Sequence, residues 1–270
     1  MIGRGWTARP RPHMPNRMSL SDRIWAWANP RKFMSLSGAL LPWAWGAAIL
    51  GIGVGLIWGF AFTPDDFRMG SSVKIIYVHV PTAFLAINAW FMMLVASLVW
   101  LIRRHHVSAL AARAAAPVGL IMTVAALATG AIWGKPMWGT YWAWDPRLTS
   151  FLILALFYVG YIALWEAVES PDAAADLTSV LCLVGSVFAV LSRYAAQFWN
   201  QGLHQGASLS LDAEENIADV FWVPLVIALA GFGALFVALV LQRTRTEIRA
   251  RRIHTLKTRA RASDETGAPA

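Results

Sequence analysis

The sequence predicts an all-α fold: a polytopic membrane protein of six transmembrane helices, with N- and C-termini cytoplasmic. Three observations carry that prediction. The 270 residues are 57% apolar and only 14% charged, whereas about a quarter of an average soluble domain is charged. The apolar residues are blocked: "GALLPWAWGAAILGIGVGLIWGFAF" (38–62) and "PTAFLAINAWFMMLVASLVWLI" (81–102) contain no charge. The basic residues, finally, are sorted to one side of those blocks.

Four more apolar runs follow, at 116–134, 148–165, 177–192 and 220–241. About 20 residues of helix cross a hydrocarbon core of ~30 Å. In lipid the backbone must satisfy its own hydrogen bonds, so uncharged runs of this length read as helices. The run 177–192 is the shortest and spans only if it extends towards Trp199. Pro81 is expected at the start of the second span, where a missing N–H is harmless. "DPRL" (145–148) reads as the start of the fourth, with Asp145 as N-cap and Pro146 in the first helical position.

A net charge of +8 suggests nucleic acid until it is located. Eighteen of the 23 basic residues precede the first span, follow the last, or lie between spans two and three (Arg103, Arg104, Arg113). The positive-inside rule makes that side cytoplasmic and directs the basic tails to anionic lipid. Arg68, Lys74, Lys135, Arg147 and Arg193 lie on or near the other side. The inward connection 166–176 stands apart, with Glu166, Glu169, Asp172 and Asp176. The expected organisation is a basic cytoplasmic segment 1–35 without signal-peptide architecture, a six-helix membrane domain 36–242 and a basic cytoplasmic tail 243–270. A single cysteine, Cys182, rules out an intrachain disulfide, a CxxC redox motif and covalent haem attachment through C-x-x-C-H. Cys182 reads as a small core residue.

The chemistry concentrates in "WGKPMWGTYWAWDPRLTS" (133–150), an outward connection. Trp133, Trp138, Trp142 and Trp144 fall within twelve residues, with Tyr141 among them. An interfacial aromatic belt accounts for scattered residues such as Trp58, Trp100 and Trp165. It needs one or two rings per helix end, not five in one connection. Indoles offer broad faces for a planar aromatic ligand and an N–H for hydrogen bonding, and Gly134 and Gly139 let backbone lie close beneath one. Asp145 caps a helix, orients a Trp N–H or pairs with Arg147; the cap is the simpler reading. The histidines divide by topology. His105 and His106 belong to a solvated basic turn, and His13 and His254 to the basic termini. His79, in "YVHVP", and His204, in "GLHQG", share the outer side with the tryptophans. Each is readable as the polar end of a helix. Together they offer a metalloporphyrin two imidazoles and aromatic walls, with Lys135, Arg147 and Arg193 as cations for its propionates.

The segment 133–150 resembles the tryptophan-rich WWD signature of haem-handling membrane proteins. With six spans, "SSVKIIYVHVPTAF" (71–84) and "FWNQGLHQG" (198–206), the chain resembles the CcmC family of cytochrome c maturation over roughly residues 20–242. Tyr141 stands where that family usually carries Trp, and "NQGLHQ" holds one residue more than the usual pattern. The resemblance implies non-covalent haem b at the periplasmic face of the bacterial inner membrane, with His79 and His204 as axial ligands. The implied haem contacts are Trp133, Trp138, Tyr141, Trp142, Trp144, Asp145 and Arg147. The implied partners are the haem chaperone CcmE, the ABC transporter subunits CcmA and CcmB, and the single-span helper CcmD.

Three functional classes compete. A haem-holding assembly factor is the leading one. A haem-export subunit is the alternative; the chain has no P-loop and its spans are nearly free of charge, which disfavours autonomous transport but not a role beside a transporter. A cytochrome b subunit would carry histidine pairs inside its spans, and the runs contain none. No catalytic nucleophile stands out, so in a haem lyase role the covalent bond would form on the partner.

Overall fold

The computed structural model describes residues 29–198 and 217–266. Its regular structure consists of α1 (Pro30–Phe62), a 3-10 turn (Ser71–Ile75), α2 (Ile76–Arg103), α3 (His106–Trp138), α4 (Pro146–Ala167), α5 (Pro171–Phe198) and α6 (Asp219–Thr266). Six helices are long and apolar enough to cross a membrane, and no β-strand occurs among the described residues. The all-α polytopic class therefore stands. α5 extends beyond residue 192, and α6 carries the basic tail onward as a continuous helix.

Two boundaries differ from expectation, and both move site residues onto helices. α2 begins at Ile76, so Pro81 lies inside it. Proline cannot serve the carbonyl four residues back; nearby, Thr82 Oγ1 donates to Val78 O at 2.8 Å and His79 O at 3.0 Å. α3 runs through Gly134 and Pro136 to Trp138. It ends at Gly139, whose φ of 76° is left-handed and whose N–H donates to Lys135 O at 3.0 Å. Glycine adopts that conformation without a Cβ clash. The loop expected from residue 134 therefore begins only at Gly139.

α1 packs chiefly on α6, α2 on α3 and α5, and α4 on α5 and α3. Gly51 and Gly55 permit the first contact. A Cβ on Gly51 would lie 2.7 Å from Gly231 Cα, and one on Gly55 2.6 Å from Ala228 N. Small residues four apart let helices approach backbone to backbone, which replaces the hydrophobic effect that lipid does not supply. The main core gathers Trp90, Met93, Trp100, Leu154, Tyr158 and Tyr161. Its polar tips are used: Trp90 Nε1 lies 3.2 Å from both Cys182 O and Ser186 Oγ, and Tyr158 donates to Ala86 O at 2.8 Å. Cys182 is buried there, as expected.

Trp100 and Trp165 are not belt residues. Trp100 is 1% exposed and donates to Asp176 Oδ1 at 2.9 Å. Trp165 is buried beneath the Arg113 guanidinium, 5.0 Å from the ring centroid. The acidic connection 166–176 explains itself in the same region. Glu166 pairs with Arg113 at 2.9 Å, Asp176 with Arg104, and Asp172 with Arg251 at 2.9 Å. Its carboxylates are counterions to the basic cluster. His105 accepts from Ser108 N at 3.1 Å as the N-cap of α3, and His106 accepts from Arg251 at 3.2 Å. These two histidines are engaged with the protein as well as solvated.

Candidate functional site

The start of α2, the end of α3 and the start of α4 lie at one end of the bundle, opposite the basic cluster. His79 occupies the first turn of α2, half-buried. Its Nδ1 lies 3.0 Å from Thr129 Oγ1 on α3, and Thr129 donates to Ala125 O at 2.7 Å. Gly130 makes room for the ring, since a Cβ there would stand 3.1 Å from His79 Cε1. Trp133 follows Thr129 by four residues and so shares its face of α3.

The tryptophans form two edge-to-face pairs, not one flat plate. Trp133 and Trp138 have centroids 5.2 Å apart at 81°, and Trp142 and Trp144 5.5 Å apart at 78°. Trp138 lies over Gly134, where a Cβ would stand 3.0 Å from Cε3; the absent side chain is what admits the indole. Residues 139–145 form the connection that carries the second pair. Within them Thr140 Oγ1 donates to Trp142 O at 2.9 Å. Trp144 is 77% and Tyr141 61% exposed. Trp133 Nε1 and Trp142 Nε1, by contrast, are buried without a hydrogen-bond partner among the described residues. Such a donor costs about 1–3 kcal/mol when left unpaired.

Asp145 has the capping role that the sequence suggested. It is buried, and its Oδ1 accepts from Leu148 N at 2.7 Å. Arg147, half-buried in the next turn, feels the like charge of Arg193 and the opposite charge of Asp145. Arg193 thus lies near enough to Arg147, beside the aromatic segment, for each to feel the other's charge. Lys135 Nζ donates to Gly139 O at 3.0 Å and stands 5.3 Å from the Tyr141 centroid. His204 lies outside the described residues. Thr129 and Gly130 escaped sequence reading. Their only signal was a hydroxyl and a missing side chain one turn before the first tryptophan of the motif.

These features define a class: a polytopic helical membrane protein with a histidine and a tryptophan-rich segment at one end. The chain belongs to the CcmC family, described as Heme exporter protein C, whose profile matches residues 23–259. It is similar to Heme exporter protein C of Rhodobacter capsulatus, at 72% identity over 238 residues, covering 88% of this chain and 98% of that protein. The protein of the same name from Paracoccus denitrificans is 67% identical over 236 residues, covering 87% and 98%. That of Escherichia coli K12 is 40% identical over 221 residues, covering 82% and 89%.

Proposed function

We propose that this protein binds non-covalent haem b at its aromatic end and presents it to the haem chaperone CcmE during c-type cytochrome biogenesis. In this reading the aromatic end faces the periplasm and the basic end the cytoplasm. Residues 36–242 sit in the inner membrane between the cytoplasmic segments 1–35 and 243–270. CcmA, CcmB and CcmD are the accompanying subunits. The names of the relatives support haem as the ligand. The observation that carries the reading to these residues is the pair of buried indole N–H groups without acceptors, Trp133 Nε1 and Trp142 Nε1, on the segment that also gathers Arg147.

The described residues fit such a group. Haem would supply an iron that takes imidazole nitrogen, a flat apolar ring and two carboxylates. His79 and His204 would hold the iron. Trp133, Trp138, Trp142, Trp144 and Tyr141 would border the ring by edge and face. The orphaned N–H groups, with Arg147, Arg193 and Lys135, would donate to the carboxylates, a charge-assisted bond stronger than a neutral one. Asp145 holds the start of α4, and so Arg147, in place. The exposed Trp144 and Tyr141 form the edge a chaperone would meet.

An absorption spectrum of the detergent-purified protein tests this directly. A Soret band is expected, lost in His79→Ala and in His204→Ala; a band unchanged in both variants overturns the ligand assignment. Only neutral imidazole ligates, so retention should fall at low pH as the rings protonate. Reporter fusions after residues 70 and 140 should read external, and fusions near 108 and 250 internal. An internal signal at 140 overturns the orientation.

A further inference from the structure

We propose that Thr129 is a positioning residue that sets the tautomer of His79, with Gly130 as the seat that lets the ring reach it. This rests on His79 being an iron ligand. The Thr129 hydroxyl has one proton, and the backbone takes it: Oγ1 lies 2.7 Å from Ala125 O and 3.2 Å from Ala126 O. A hydroxyl so engaged meets His79 Nδ1, at 3.0 Å, as an acceptor. The proton of the neutral ring is therefore held on Nδ1, which puts the ligating lone pair on Nε2.

Three consequences follow from this bond. The ring arrives at a metal in the correct tautomer, with no proton to move first. Donation from Nδ1 raises the basicity of Nε2, as outer partners of metal-bound histidines do. The ring is also tied to α3, the helix that carries Trp133 one turn further on, so one rigid element registers the ligand against the aromatic segment. Gly130 belongs to the same device. A Cβ at that position would stand 3.1 Å from His79 Cε1 and 3.6 Å from Nδ1, pressing the imidazole off Thr129.

The test reads the tautomer first, without haem. In detergent-purified apoprotein labelled with 15N-histidine, at a pH where the ring is neutral, the His79 signal is assigned by its loss in His79→Gln. Wild type and Thr129→Ser should show the proton on Nδ1. Thr129→Val, which keeps the shape and removes the acceptor, should move it wholly or partly to Nε2. In haem-loaded protein, transfer to a haem-free globin should be about 10–100-fold faster for Thr129→Val and close to wild type for Thr129→Ser. Gly130→Ala should follow Thr129→Val. If His79→Gln retains haem like the wild type, the ligand reading falls. If His79→Gln loses haem but Thr129→Val changes neither tautomer nor transfer rate, the positioning role alone falls. Equal acceleration in Thr129→Val and Thr129→Ser would mark a packing effect and overturn it too.

Discussion

The two ends of the bundle use the same residue types, tryptophan and arginine, in opposite ways. At the basic end Trp100 gives its N–H to Asp176 and lies 5.4 Å beneath the Arg104 guanidinium. Arg113 bridges Glu166 and Glu247 at 2.9 and 3.1 Å, and Arg243 donates to Ala114 O at 3.1 Å. Ser97 Oγ and Trp165 Nε1 are the buried groups there without a hydrogen-bond partner among the described residues. At the aromatic end Trp133 and Trp142 keep buried N–H groups with no acceptor among the described residues, while Tyr141 and Trp144 stand exposed. The basic end pairs Trp100 and its arginines with carboxylates and carbonyls of the chain itself. The aromatic end leaves two indole donors of one segment unpaired among the described residues and two of its rings exposed. Unpaired buried donors are costly, and their clustering in one segment is more informative than the number of tryptophans there.

That contrast can be tested at both ends, and the largest effect should come from the double variant Trp133→Phe, Trp142→Phe. It keeps an aromatic ring at each position but removes both orphaned donors. Each lost bond to a charged acceptor is worth about 1.5–3 kcal/mol, so haem affinity should fall at least tenfold. Apoprotein stability should change little, because no hydrogen bond is lost and a smaller ring stays in each edge-to-face pair. A titration with thermal unfolding of the apoprotein checks both; unchanged affinity would mean that these donors do not meet the ligand. Trp100→Phe should do the reverse. It removes one hydrogen bond while Asp176 keeps Arg104, lowering stability by about 0.5–1.5 kcal/mol with haem binding intact.

Gly139→Ala should cost about 1 kcal/mol by placing a Cβ in the left-handed region at the end of α3. It should also weaken haem binding, since Trp138 precedes that cap; proteolysis at 139–145 and a haem titration would report it. The smallest effect is expected for Arg113→Ala. Partly exposed ion pairs contribute roughly 0–1 kcal/mol each and are screened by salt. The loss of stability should therefore shrink in high salt, while haem retention stays level.

Part of this comparison was legible in the sequence. The sequence placed the basic residues at one end and the Trp-rich segment at the other, and the helices keep them apart. Asp145-Pro146 gave the start of α4 correctly, because an N-cap followed by a proline is a local signal. The fate of individual rings was less legible. Trp100 and Trp165 read as belt residues because they sit near span ends, whereas their partners Asp176 and Arg113 come from other helices. Pro81 read as a boundary because proline usually is one, yet it lies within α2.

What followed from the sequence alone was whatever depends on neighbours along the chain: six spans, from length and the absence of charge; one cap, from two adjacent residues. The tertiary structure decided what depends on helices far apart in sequence. It set Thr129 against His79, fifty positions away. It packed Gly55 of α1 against Ala228 of α6, and it supplied Asp176 to Trp100 while leaving Trp133 and Trp142 without acceptors among the described residues. The physical reason is that helix formation in lipid is satisfied locally by the backbone. Side-chain hydrogen bonds and close approaches between helices arise only when the spans are set side by side.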